Sequence, residues 1–194
     1  VRDLPETDAA IAAALPHVEP LGWSLAAARA GLGDIGAEPA DAVVLFPRGA
    51  SDMLDAFAAL ADRWMAEDAA AADMSGLRTP GRVRAVILLR LARLRPYREA
   101  VRRAAGHPRR CALMRTVDAI WHAAGDTLEG PSRHTKRPIL AAVYSSTLLV
   151  WLREAEGGEG ATASFLDRRL ADVRRIGEIR ARIGNIGIFR TSTV

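Results

Sequence analysis

Apolar residues recur at three- and four-residue intervals along the whole chain, and no alternating run of strand length interrupts them. The pattern predicts helices throughout. A first helix covers about residues 6–17 and ends near Pro20. Trp23-Ser24 opens a second, with Ser24 as N-cap candidate, and Gly31, Gly33 and Gly36 close it. A third short helix runs from Pro39 to Phe46 and stops at Pro47. The fourth, about 51–72 with Ser51 as cap, turns Leu54, Phe57, Leu60, Ala61, Trp64 and Met65 inward. Thr79-Pro80 starts a fifth, which carries Val83, Val86, Ile87, Leu91 and Leu94 on its inner face to about Leu94. Pro96 opens a short sixth. Pro108 opens a seventh, with Leu113, Met114, Val117, Ile120 and Trp121 on one face, and Gly125 ends it.

A loop at 126–134 leads to an eighth helix, about 135–153. This helix is apolar almost all round from Ile139 to Leu152, which predicts burial on most sides. Gly157, Gly158 and Gly160 make a hinge. The last helix begins near Thr162 and runs past Arg182. The expected architecture is an all-α bundle of eight to ten helices. Its expected parts are a three-helix head (1–50), a bundle (51–160) and a C-terminal amphipathic helix (161–194).

At 194 residues and 49% apolar content, the chain can bury a core without a staple. Its single cysteine, Cys111, excludes an internal disulfide framework and a Cys-cluster zinc site, and is expected in the core. No apolar run reaches the ~18 residues of a spanning helix. No basic head with an apolar core, the pattern of a signal peptide, opens the chain.

The charge is unevenly spread. Of 27 basic residues only Lys136 is not Arg. Residues 1–73 carry net −9, residues 74–115 net +11, residues 116–160 net −2 and residues 161–194 net +4. The basic block interleaves with apolar positions, for instance Arg82, Arg90 and Arg93 around Val83, Ile87 and Leu91. That is the solvated face of amphipathic helices, part of it placed to pair with the acidic first third.

Trp23 to Phe46, followed by Gly49-Ala50-Ser51-Asp52-Met53-Leu54, resembles the N-terminal helix-turn-helix head of TetR-type regulators. DNA binding draws most of its affinity from phosphate neutralisation. Within Gly36 to Pro47 the only charges are Glu38 and Asp41. The head is therefore read as degenerate, with no nucleic-acid partner. A TetR-type ligand-responsive repressor stands as the alternative function.

In the C-terminal segment Leu166, Leu170, Val173, Ile176, Ile179, Ile183 and Ile186 form one apolar stripe, with Arg168, Arg169, Arg174, Arg175, Arg180 and Arg182 on other faces. Such a helix packs on a bundle or lies in a membrane interface. The half after Gly177 is the membrane candidate, through Ile179, Arg180, Arg182, Ile183 and Ile186. Catalytic patterns are poor. His17, His107, His122 and His134 are scattered. Asp118, His122 and Asp126 have i, i+4 spacing but no accompanying Glu-x-x-His pair, so no metal is expected. No nucleophile array or phosphate-cradling glycine loop appears.

Three stretches are recognisable together. They are Asp118-Ala-Ile-Trp121-His-Ala-Ala-Gly125-Asp126-Thr127; Thr135-Lys136-Arg137 with Leu140-Ala-Ala-Val143-Tyr144-Ser-Ser-Thr-Leu148; and Phe165-Leu166-Asp167-Arg168-Arg169. They resemble the ninth Coq accessory protein family of ubiquinone biosynthesis and its bacterial relatives, over roughly residues 15–180. The resemblance implies a TetR-like fold without DNA binding, no catalysis and no cofactor. It implies an isoprenoid or phospholipid as ligand and a membrane surface contacted by the C-terminal helix. A di-iron quinone hydroxylase is the implied protein partner, and the protein would present quinone intermediates to it. The implied location is peripheral to the cytoplasmic face of a bacterial inner membrane, or the mitochondrial matrix side in a eukaryote.

On that basis Val117, Trp121, Tyr144, Leu148 and Trp151 would line a lipid site, and Arg137 would contact a phospholipid head group. A guanidinium forks well onto phosphate. A salt bridge from Arg137 to Asp126 is the other reading. The family's aromatic Asp-Phe-Asn-Trp-Tyr loop is replaced here by Gly130-Pro131-Ser132-Arg133-His134, which removes the usual partner-facing anchors. A homodimer through the last two helices rests on fold analogy alone.

Overall fold

The computed structural model describes residues 4–107, 110–126, 133–154 and 160–188, with the side chains of Leu4, Arg133, His134 and 177–188 left aside. Among the described residues the secondary structure is entirely helical. The α-helices are α1 (Leu4–Leu21), α2 (Leu25–Asp34), α3 (Ala42–Leu45), α4 (Ala50–Ala71), α5 (Thr79–Arg93), α6 (Arg98–Ala105), α7 (Arg110–Ala123), α8 (Arg133–Arg153) and α9 (Gly160–Ile188). Single 3-10 turns at Pro39–Asp41 and Arg95–Tyr97 lead into α3 and α6. Two compact units divide the chain, Val1–Gly130 and Pro131–Val194.

In the first unit, α1 includes both of its prolines and ends at Leu21, beside Pro20, near which the sequence led us to expect its end. Pro16 and Pro20 are exposed, while Ile11, Ala14, Leu15 and Val18 are buried on both sides of Pro16. Burial of that face outweighs the ~3 kcal/mol cost of an interior proline. The helix ends where Gly22 takes φ +67° and donates its N–H to the Val18 carbonyl at 2.8 Å. Ser24 caps α2 as expected, its hydroxyl oxygen accepting from the Ala27 N–H at 3.3 Å. Gly31 does not close α2 but lies buried within it. A Cβ there would stand 2.5 Å from the Ala13 carbonyl carbon, so α1 and α2 cross backbone to backbone at this point.

Ser51 is not the cap of α4. Gly49, at φ +57°, precedes the first helical residue, and the Asp52 carboxylate accepts the Arg48 N–H at 2.8 Å. α5 begins at Thr79-Pro80 as expected, with Arg78 as the residue before it. The inner faces of α4 and α5 are otherwise as expected, save that Trp64 is half-buried. Trp64 stacks on Tyr97 with ring centroids 5.8 Å apart and lies 5.3 Å under the Arg93 guanidinium. Trp23 ties the start of α2 into the unit. Its indole Nε1 donates to the Ala100 carbonyl at 3.1 Å, and its ring meets Phe57 at 5.1 Å.

The acidic first third and the basic block pair across α4, α5 and α7. Arg90 forms an ion pair with Asp62 at 2.7 Å, Arg93 with Asp68 at 3.7 Å and Arg115 with Asp55 at 3.6 Å. Arg63 also pairs with Asp8, joining α4 to α1. Cys111 is exposed in the first turn of α7, against the expectation of a core position. Cysteine's apolar character favours burial in general, but the core side of this turn is taken by Ala112, with Thr116, Val117 and Ile120 following at helical spacing.

In the second unit, α8 and α9 pack together. α8 is buried through Leu140, Val143, Tyr144, Thr147, Trp151 and Leu152, and the other residues from Ile139 to Leu152 are half-buried except Ala142 and Leu149. Pro138, Ala142 and Arg153 are exposed and Leu149 is 50% exposed. Exposure is thus confined to one narrow sector of α8, in keeping with the expectation of burial on most sides. The Glu154 carboxylate secures the entry to α9, accepting from the Ala161 and Thr162 N–H groups at 3.0 and 3.1 Å and from the Thr162 hydroxyl at 2.6 Å.

Candidate functional site

The sequence-predicted lipid-site residues fall on two helices. Val117 and Trp121 are four residues apart on α7 and so share a face. Val117 is fully buried, beside Thr116 and Ile120, and Trp121 is half-buried. The position of this face is set by polar contacts beneath it. Thr116 donates its hydroxyl to Asp62 on α4 at 2.9 Å, and Asp62 also pairs with Arg90 of α5. Burial pushes the Asp62 carboxyl above its ordinary range, while Arg90 and the Thr116 hydroxyl hold it down. These contacts fix the rotation of α7 against α4 and α5. Sequence reading named Asp62 and Thr116 for no role, because their pairing spans 54 residues of chain.

Arg137, Tyr144, Leu148 and Trp151 lie on α8. At 100° per residue they occupy one narrow stripe, with Arg137 and Trp151 about 21 Å apart along the axis. Tyr144 and Trp151 are buried, while Arg137 and Leu148 are half-buried. The stripe lies along the margin of the buried face of α8, away from the exposed Ala142 and Leu149. The Thr147 hydroxyl donates to the Val143 carbonyl at 2.7 Å, so this buried hydroxyl turns its polarity back onto the helix backbone. The arrangement offers one guanidinium at the head of an apolar and aromatic strip. It brings the four α8 residues together. Val117 and Trp121, like Asp126, belong to the other compact unit.

The loop residues 127–132, where the aromatic anchors are replaced, lie outside the described residues, and so do the side chains of Ile179, Arg180, Arg182, Ile183 and Ile186. The α9 backbone is helical through those five positions, to Ile188. Ahead of them, burial fades along the apolar stripe. Leu166 is fully buried, Leu170 and Val173 are half-buried, and Ile176 is 53% exposed directly after the exposed Arg174 and Arg175. Among the described residues no group of three or more His, Cys, Asp and Glu side chains could hold a metal ion. Among them, too, no helix is long and apolar enough to cross a membrane.

Comparison with known proteins places the likeness on this region. The COQ9 family model matches residues 110–177, which run from the start of α7 into α9. The ubiquinone biosynthesis protein COQ9-A, mitochondrial, of Xenopus laevis is 32% identical over 75 residues, covering 39% of this chain and 24% of that protein. The mitochondrial COQ9 proteins of Rattus norvegicus and Homo sapiens are also each 32% identical over 75 residues, with the same coverage in the rat protein. The chain thus matches about a quarter of the length of these curated relatives. Among solved structures, a TetR transcriptional regulator from Nitrosomonas europaea superposes with a TM-score of 0.63 at 21% identity, over 86% of this chain and 97% of that one. At that identity the likeness establishes the fold, which is TetR-like, as the head sequence led us to expect.

Proposed function

We propose that this chain, which carries the COQ9-family segment in residues 110–177 on a TetR-like fold, serves ubiquinone biosynthesis as a non-catalytic lipid-binding accessory protein. The observation that carries the reading is the α8 stripe, where Arg137 heads a strip formed by Tyr144, Leu148 and Trp151. Its chemistry suits an amphiphile. An apolar tail along the strip offsets the cost of leaving a bilayer, at ~0.8 kcal/mol per buried CH₂. The guanidinium takes an anionic or polar head in a forked hydrogen bond. Val117 and Trp121, on α7 of the first unit, are proposed as further lipid contacts.

The distal α9 turns, with Ile179, Arg180, Arg182, Ile183 and Ile186, are proposed to lie on an anionic membrane surface. The outward turn of the stripe at Ile176 supports that role. The ligand would be an isoprenoid or a phospholipid, delivered at the membrane to a quinone-modifying hydroxylase. The test is extraction and mass spectrometry of lipid from the purified chain. An isoprenoid or phospholipid at near-stoichiometric yield is expected, and an R137A/W151A variant should lose it. A lipid-free chain, or equal loading of the variant, ends the reading.

The TetR-like fold raises repression of transcription as a second reading. The head argues against it: α3 presents Val43 and Val44, flanked by Glu38 and Asp41, where phosphate calls for cations. A salt-dependent mobility shift on duplex DNA would restore that reading.

A further inference from the structure

The head carries an exposed surface that the proposed lipid site does not use. α3 is anchored by Ala42 and Phe46, both fully buried, an i, i+4 pair that leaves Val43 and Val44 outward. Val44 is 72% exposed, Val43 47% and Ile35, at the end of α2, 52%. Pro39 and Ala40 between them are exposed as well. Folding needs none of these side chains to be large. Residues 33–44 are thus an almost continuous exposed segment, packed from α2 through the 3-10 turn to α3.

The charges in it are of one sign. Asp34 is bonded to His17 at 2.6 Å, whereas Glu38 and Asp41 form no ion pair among the described residues. No Lys or Arg occurs between Arg29 and Arg48. Arg48 itself is held by Asp52 at 2.6 Å and Asp55 at 3.6 Å, so it does not neutralise the surface. An apolar patch rimmed by carboxylates repels both nucleic acid and an anionic bilayer. It suits a protein segment with apolar residues flanked by cations. We infer that the α2–α3 surface of the head, centred on Val43 and Val44 and rimmed by Glu38 and Asp41, is a docking site for a basic amphipathic helix of a partner protein. The small patch implies a transient contact of micromolar strength rather than a permanent complex.

The full-length chain can be titrated into a labelled 16-residue helical peptide with a leucine stripe flanked by arginines, read by fluorescence anisotropy. Saturable micromolar binding is expected. It should weaken about tenfold or more for E38K/D41K and for V43S/V44S, and for the same peptide with glutamates in place of arginines. All these positions are exposed, and circular dichroism checks that the variants keep their helices. An environment-sensitive dye at V44C, in a C111S background, should shift blue with the arginine peptide and not with phosphatidylglycerol vesicles. Absence of peptide binding, binding unchanged in both double variants, or a blue shift on vesicles would overturn the assignment.

Discussion

Asp62 of α4 and Arg90 of α5 form a 2.7 Å ion pair with both side chains largely shielded from water, 5% exposed on the arginine and 15% on the aspartate. Thr116 of α7 completes the arrangement by donating to the same carboxylate oxygen at 2.9 Å. A pair like this stabilises little relative to an apolar replacement, but breaking it strands a charge. Arg90→Met should therefore cost about 3 kcal/mol, and the double change R90M/D62L distinctly less. Urea denaturation of both variants measures the difference. A single variant as stable as the double one would show that the pair does not hold α5 and α7 to α4.

The same carboxyl sets a pH dependence. Burial raises Asp62 above its ordinary value of 3.8, against the pull of Arg90 and Thr116. Between 3.8 and the raised value, the folded chain keeps a proton that the unfolded chain has released. Stability contributed by this group is thus fully present below 3.8 and lost as pH rises through its folded value. Asp62→Asn removes the titration. The stability of the native chain relative to D62N should fall as pH rises out of the acid range. Chemical denaturation at a series of pH values tests this. A difference growing in favour of the native chain would mean that Arg90 outweighs burial.

Much of this fold was legible because helix ends are written in single residues. Ser24 and Gly125 do what their types suggest: one caps α2 with its hydroxyl, and the other takes φ +80° past α7. The errors lie where tertiary packing overrides a local rule. The first helix reads as about residues 6–17, yet the apolar face of α1 carries it on to Leu21. Ser51 reads as a cap, yet the left-handed Gly49 and the Asp52 carboxylate start α4. The α8 residues were named from the resemblance, and their common stripe follows from helical spacing within one element. The contacts that orient α7 could not, since Asp62, Arg90 and Thr116 meet only after three helices have packed.

Gly31→Ala tests the α1–α2 crossing. In an open helix this change gains up to about 1 kcal/mol. Here the new Cβ would lie 2.5 Å from the Ala13 carbonyl carbon and 2.5 Å from the Ala14 nitrogen, both backbone atoms that cannot turn aside. The helices must separate. A net loss of about 1–3 kcal/mol is expected, read by thermal and urea melts. Gly33→Ala is the internal control, because nothing lies within 4 Å of its Cβ position and it should be neutral or stabilising. Equal effects at both positions would rule out the close crossing.

Glu154→Ala tests the junction that carries α9. The Glu154 carboxylate supplies the side-chain cap of α9, reaching two backbone N–H groups and the Thr162 hydroxyl. Thr162 is itself buried, so losing the carboxylate leaves its hydroxyl and two amides short of an acceptor. The expected cost is about 0.5–2 kcal/mol, the usual range for a lost cap. Glu154→Gln keeps an oxygen acceptor and should recover part of it. The loss should be local, so hydrogen exchange ought to speed up at the Ala161 and Thr162 amides while the α4–α5 amides keep their protection. Uniform loss of protection in both units would show that α9 is welded into the global fold rather than held at its own N-terminus.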